Sequence, residues 1–89
     1  MLRITIHKDT PVTRLSIEGR LTGEWVKELE RCWREETESP TSSRIQIELR
    51  DVRFVSEEGR KLLQQMARAG AELIAADLMM KAIIEEIIA

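Results

Sequence analysis

The middle of the chain reads Ile47-Glu48-Leu49-Arg50-Asp51-Val52-Arg53-Phe54-Val55-Ser56-Glu57-Glu58-Gly59. Its first half alternates apolar and polar residues, which is the two-residue period of a strand with one buried face. Three more apolar residues follow up to the far end of that strand: Val52, Phe54 and Val55. Ser56 and two glutamates then follow, which is typical of a helix start because a hydroxyl caps the helix and acids complement its dipole. A strand that runs directly into a helix predicts an α/β fold.

Two alternating segments lie before this stretch. Residues 2–7 have the period of a strand, and Thr13, Leu15 and Ile17 share one face of a second strand that Gly19 is expected to end. The turn between them is predicted at residues 8–11. These two strands are expected to pair as an antiparallel hairpin.

Helical periodicity begins after the hairpin, at Thr22, which is placed to cap a first helix. Residues 38–43 favour turns and predict a loop before the central strand. A second helix is predicted from Glu57 to Ala69, with Gly70 as its stop, and residues 71–75 predict a fourth strand.

Asp77 is predicted to cap a last helix. The order is therefore β-β-α-β-α-β-α, which implies a mixed four-stranded sheet with helices packed on one face. A length of 89 residues fits a single domain over residues 1–89. The opposite face of the sheet is expected to be polar and wet, or partly covered by a partner.

Composition excludes several classes of function. A net charge of −2 provides no positive field for a nucleic acid backbone. The apolar runs are too short to insert into a membrane, and the start of the chain lacks the apolar core of a signal peptide. Cys32 is the sole cysteine, so neither an internal disulfide nor a cysteine-based zinc site can form. These features predict a cytoplasmic protein.

The segment at residues 47–59 and the Gly19-Arg20-Leu21 that follows the second strand resemble the STAS family. This resemblance covers nearly the whole chain. The family includes bacterial anti-sigma factor antagonists and the cytoplasmic tails of sulfate transporters. It implies a STAS-like fold and a regulatory module of bacterial signal transduction and transcription control that works by protein–protein interaction. Docking is then expected through the turn and helix at residues 55–66.

The resemblance also locates the expected site. With Gly59 as the anchor, Ser56 falls where antagonists carry an aspartate, and Glu57 and Glu58 fall at the two hydroxyl positions that include the phosphoacceptor. Arg60 replaces a leucine. The phosphorylatable serine is therefore expected to be missing, and two permanent charges of −1 stand near the place where a phosphate would add about −1.5 to −2. We expect Ser56, Glu57, Glu58, Gly59 and Arg60 to bind the partner.

Structural interpretations of the same residues remain open. A helix cap is a stronger expectation for Ser56 than a displaced phosphoacceptor. Gly59 in the first turn of a helix suggests close backbone packing within the chain, because glycine costs about 1 kcal/mol relative to alanine there. Trp33 is expected in the core, and Trp25 is a candidate contact residue.

Nothing in the sequence indicates catalysis. His7 lies on the polar face of a strand and Cys32 at an apolar helical position, so they are not expected to meet as base and nucleophile. Asp51 lies at a strand end, as in phosphoacceptor sites, but the acidic pair that holds magnesium in such sites is replaced by Arg20, Leu21 and Thr22. No motif for a metal, nucleotide or other cofactor is present. The sequence predicts a protein that is not an enzyme.

The partner remains open at this point. The resemblance allows an anti-sigma factor that is also a kinase, or the ATPase of a lipid-transporting membrane complex of which this chain would be a STAS subunit. A small nucleotide-binding protein or enzyme is the disfavoured alternative of another class, since a domain of this size offers little room for a pocket. The last helix is apolar over more than one stripe, which favours a homodimer through that helix.

Overall fold

In the computed structural model, residues 1–9, 11–38 and 44–89 are described. They form four strands and three helices in the predicted order. The elements are β1 (Leu2–Asp9), β2 (Val12–Leu21), α1 (Glu24–Glu38), β3 (Arg44–Val55), α2 (Glu57–Arg68), β4 (Glu72–Ala75) and α3 (Leu78–Ile88).

The strands form one mixed sheet in the order β1-β2-β3-β4. β1 pairs antiparallel with β2, whereas β2 with β3 and β3 with β4 are parallel. Crossovers through α1 and α2 produce the parallel pairs, because parallel neighbours need a long connection. The predicted α/β architecture with a four-stranded mixed sheet is confirmed.

The core lies between the apolar face of the sheet and the helices. Leu15 and Ile17 of β2 are fully buried beside Ile47 and Leu49 of β3. Burying side chains of this size contributes about 1.5–3 kcal/mol each. The helices supply their apolar stripes to the same cluster: Val26, Leu29, Cys32, Trp33, Leu62, Leu63, Met66, Met80, Ile84 and Ile87.

The other face of the sheet is polar, as its alternation predicts. Ser16 donates a hydrogen bond to Oε1 of Glu48 at 2.9 Å, and Gln46 donates to Oε1 of Glu72 at 2.8 Å. These bonds join β2, β3 and β4 across the sheet, so these four polar side chains have partners on neighbouring strands. Nε of Arg14 is buried and has no hydrogen-bond partner among the described residues.

The first hairpin is tighter than predicted. Lys8 pairs with Thr13 and Asp9 with Val12, so two residues expected in the turn belong to β1. Thr10 lies outside the described residues. The loop predicted at residues 38–43 also falls largely outside them, since α1 continues to Glu38 and residues 39–43 are not described.

The prediction that Gly19 ends β2 is wrong. The strand continues to Leu21, and Gly19 takes a φ of 112° at one of two register shifts against β3. The extra residue at each shift belongs to β3, and glycine reaches its conformation without a Cβ penalty, so β2 continues past the shift. On the other side of β2, the Arg20 amide donates to the carbonyl oxygen of Met1 at 3.0 Å.

The same shifts separate Phe54 from its apolar neighbours. Val52 is buried and Val55 is half-buried, but Phe54 pairs with Arg20 and is 44% exposed. The Arg20 guanidinium lies over the Phe54 ring, 4.9 Å from its centroid. An extra residue in a strand reverses the side to which later side chains point.

Two of the three predicted caps are confirmed. Ser56 and Asp77 cap α2 and α3, and Oδ1 of Asp77 accepts from the Met80 amide at 2.8 Å. α1 begins two residues after Thr22, whose backbone carbonyl accepts from the Trp25 amide at 3.1 Å. Within the described part of the chain, no helix is long and apolar enough to cross a membrane.

Candidate functional site

Two strand-to-helix turns meet at one edge of the sheet. β2 and β3 are parallel and end side by side, with Leu21 opposite Val55, and each leads into a helix. β4 stops short of this edge, because its last residue, Ala75, lies opposite Leu49. We call the region at the ends of β2 and β3 the carboxyl edge and define it by residues 20–25 and 54–60. The predicted site at residues 56–60 lies on it.

Ser56 is tied into this edge by three hydrogen bonds. Its amide donates to the carbonyl oxygen of Leu21 at 3.0 Å, and its own carbonyl accepts from the Arg60 amide at 2.9 Å. Its Oγ accepts from the Gly59 amide at 3.1 Å. This is the geometry of a helix cap, so the structural interpretation of Ser56 is confirmed.

Gly59 is buried under the end of β2. A Cβ atom on Gly59 would lie 3.0 Å from the Leu21 carbonyl oxygen and 3.0 Å from Cγ1 of Val55. The close packing expected from a glycine in a helix's first turn is therefore intramolecular. Gly59 allows α2 to begin directly against β2, and so positions the residues around it.

The exposed charges of the predicted site are those of Glu57 and Glu58. Neither forms an ion pair with a described residue, and both stand in the first turn of α2, where the helix dipole favours negative charge. Arg60 is half-buried and lies 3.5 Å from Oε2 of Glu86 on α3. A groove of about 230 Å³ opens between the two helices beside this pair and is lined in part by Glu57.

Large apolar side chains are exposed along the same edge. Trp25 is 36% exposed at the start of α1, and Met1 and Phe54 are exposed at the ends of β1 and β3 that reach this edge. Leu78 and Met79 are 84% and 58% exposed at the start of α3, which follows the shorter β4. Exposed apolar patches often mark surfaces that contact another molecule.

Sequence reasoning identified only part of this surface. Trp25 was expected as a contact residue, whereas the wide apolar surface of the last helix was expected to form a homodimer face. The structure divides that apolar set: Met80, Ile84 and Ile87 complete the core, and Leu78, Met79 and Ile88 remain exposed. Phe54 was missed, since its exposure depends on the register shifts in β3.

The residues weighed for catalysis are kept apart. His7 is exposed on β1, whereas Cys32 is buried on α1 beneath the sheet. Burial raises the pKa of the Cys32 thiol, with the carboxylates of Glu28, Glu35 and Glu36 adding to the effect and Arg31 opposing it. A raised pKa lowers the thiolate fraction and therefore the nucleophilicity.

Asp51 accepts a hydrogen bond from Nε of Arg53 at 3.1 Å and is exposed. Among the described residues, no group of three or more histidine, cysteine or acidic side chains is placed to hold a metal ion. A groove of about 440 Å³ lies between the carboxyl-terminal ends of α2 and α3 and contains none of the predicted site residues.

Comparison with known proteins does not assign a family. No protein-family model matches the chain, and no curated protein matches it.

Proposed function

We propose that this chain is a STAS-type regulatory module, similar to an anti-sigma factor antagonist, that binds a protein partner through its carboxyl edge and catalyses no reaction. One observation carries the proposal: exposed acidic and apolar side chains lie at the same edge of the sheet, where α1 and α2 begin. Interfaces combine buried aromatic or aliphatic anchors with a polar rim, and this edge supplies both.

The geometry of Ser56 supports constitutive docking over a phosphoswitch. Its Oγ already accepts the Gly59 amide, and the residue is half-buried. Glu57 and Glu58 place two permanent negative charges on the exposed first turn of α2. Their sum is close to the charge of about −1.5 to −2 that a phosphate would add, so the surface has the electrostatics of a phosphorylated relative without a kinase.

The edge also indicates the chemistry of its partner. The carboxylates of Glu57 and Glu58, which pair with no described residue, favour a basic surface, and the exposed Trp25 and Phe54 favour apolar pockets beside it. We propose an anti-sigma factor of the kinase type as the partner. The ATPase of a lipid-transporting complex is the second candidate, and identification of the bound protein separates the two.

Affinity isolation with the full tagged chain, followed by titration calorimetry with the purified partner, tests this function. We expect Glu57→Lys with Glu58→Lys to weaken binding by at least about tenfold, because two attractive contacts become repulsive. Trp25→Ser with Phe54→Ser should weaken it similarly. Neither pair should unfold the chain, since all four side chains are exposed.

The matched control is Glu38→Lys with Glu72→Lys. These exposed carboxylates lie at the end of α1 and the start of β4, at the opposite end of the sheet from the carboxyl edge, and the change in net charge is the same. The control pair should bind like the unaltered chain. Binding that survives both edge pairs, or that the control pair weakens equally, would assign the partner to another surface.

A further inference from the structure

β1 leaves one side of the sheet open. It is an edge strand of eight residues, and residues 5–9 are all exposed. The other edge, β4, has four residues, three of them half-buried, with Ile84 of α3 packed beside them. Short, covered edges resist pairing with another chain, whereas a long exposed edge invites it.

β1 lacks the usual protection of an open edge. Its register against β2 is continuous from Leu2 to Asp9, without a bulge, and the strand contains no proline. Lysine often blocks edge pairing by projecting its charge. Here Nζ of Lys8 lies 3.4 Å from Oε1 of Glu36, a nearly buried carboxylate of α1, so this charge is already paired within the chain.

An apolar groove runs alongside the edge. It measures about 220 Å³ and is lined by Leu2, Ile4, Ile6, Trp25, Glu28 and Cys32. Ile6 is 39% exposed at its rim. An added strand would therefore gain backbone hydrogen bonds from β1 and a place for its apolar side chains beneath them.

We propose that the occupant is β1 of a second copy of this chain, paired antiparallel about a two-fold axis at Ile6. In this register Ile6 faces Ile6 of the second copy, and Arg3 faces Asp9 of the second copy. The symmetry repeats the Arg3–Asp9 pair, so two cross-strand pairs of opposite charge flank the axis. Such pairs stabilise antiparallel strands by about 0.2–1 kcal/mol each.

Charge selects this register over its neighbour. An axis at Thr5 would also keep apolar residues on one face, but it would place Arg3 opposite His7. Both registers place Lys8 opposite an apolar residue. Among the residues of β1, only the axis at Ile6 forms pairs of opposite charge. The axis at Ile6 instead joins the two sheets into one of eight strands, with the apolar grooves of both copies on the same face.

Exchanging the charges of Arg3 and Asp9 tests the pairing. The dissociation constant of the dimer is measured by sedimentation equilibrium of the full chain over a range of concentrations. The unaltered chain should form a dimer, and Arg3→Asp or Asp9→Arg alone should raise its dissociation constant on the order of tenfold. The combined Arg3→Asp/Asp9→Arg chain restores opposite charges and should recover the dimer. Circular dichroism verifies that each variant is folded. A chain that stays monomeric, or a dimer indifferent to the single changes, would overturn the proposal.

Cysteine cross-linking tests the register independently. In a Cys32→Ala background, Ile6→Cys should form a disulfide-linked dimer under mild oxidation, because opposed residues lie about 4.5–5.5 Å apart between Cα atoms, within disulfide reach. Thr5→Cys is the matched control and should not form this disulfide, because the two Thr5 positions of the dimer would lie about 7–8 Å apart. Cross-linking through Thr5 alone would move the axis by one residue and contradict the proposal. A dimer that neither variant cross-links would lie elsewhere, with the exposed residues of α3 as the next candidate.

Discussion

Gly59 lies against Leu21 so closely that a Cβ atom on the glycine would stand 3.0 Å from the Leu21 carbonyl oxygen. That carbonyl also accepts the amide of Ser56 at 3.0 Å. One backbone group of β2 thus fixes both the end of β3 and the first turn of α2. The position of Glu57 and Glu58 on the carboxyl edge follows from this contact.

Gly59→Ala should therefore destabilise the chain. Alanine gains about 1 kcal/mol of helix propensity, but the new methyl group must displace the Leu21 backbone and Val55, and overpacking of this kind typically costs about 1–3 kcal/mol. We expect a net loss on the order of 1 kcal/mol in the free energy of unfolding, measured with urea. Gln65→Ala, at an exposed position of the same helix, is the control and should change it by less than about 0.5 kcal/mol. A Gly59→Ala chain as stable as the original would show that α2 can shift freely.

Ser56→Ala should remove the cap of α2. The Gly59 amide would lose its acceptor at 3.1 Å, which costs about 1 kcal/mol. For a domain of this size, that corresponds to a fall of about 4–8 °C in Tm. Ser56→Asp can accept the same hydrogen bond and should retain most of the stability. Equal melting temperatures for the two variants would assign Ser56 a role other than capping.

The architecture was predictable from local patterns. Alternation identified the apolar faces of β1, β2 and β3, because Leu15, Ile17, Ile47 and Leu49 recur at the strand period and are all buried. Ser56 and Asp77 identified two helix starts through their cap chemistry, and Gly70 identified a helix end. These signals come from residues that are close together in the chain, so they can be read from the sequence alone.

The sequence did not predict which residues form the carboxyl edge as well as it predicted the architecture. Exposure of Phe54 depends on two register shifts between β2 and β3, and a register is a relation between distant segments. The wrong prediction at Gly19 has the same cause. As a turn residue, a glycine predicts the end of a strand, but β2 continues to Leu21 because it pairs with β3 on one side and contacts Met1 on the other. The open edge of β1 likewise appears only when the strand order is known.

Gly19→Ala should be more damaging than Gly23→Ala, although both glycines have positive φ. Gly23 has a φ of 58° and open space around its Cβ position, so alanine there costs about 1–2 kcal/mol from the left-handed conformation alone. Gly19 has a φ of 112°, and a Cβ atom there would collide with the Met1 carbonyl oxygen. We expect a larger loss for Gly19→Ala in urea unfolding. Equal losses would mean that the first residue of the chain moves aside without cost.

The Cys32 thiol should make stability depend on alkaline pH. Burial raises the pKa of this thiol above its ordinary value, so the folded chain holds its proton to higher pH than the unfolded chain does. Unfolding then releases a proton, and the free energy of unfolding falls as pH rises from the ordinary pKa toward the raised one. Urea unfolding between about pH 7 and 10 measures this slope, since the unfolded thiol has a pKa of about 8.5. Cys32→Ala is less stable at neutral pH because it leaves a small cavity, but its slope should be shallower at alkaline pH. Identical slopes for the two chains would show that the thiolate is accommodated in the folded core.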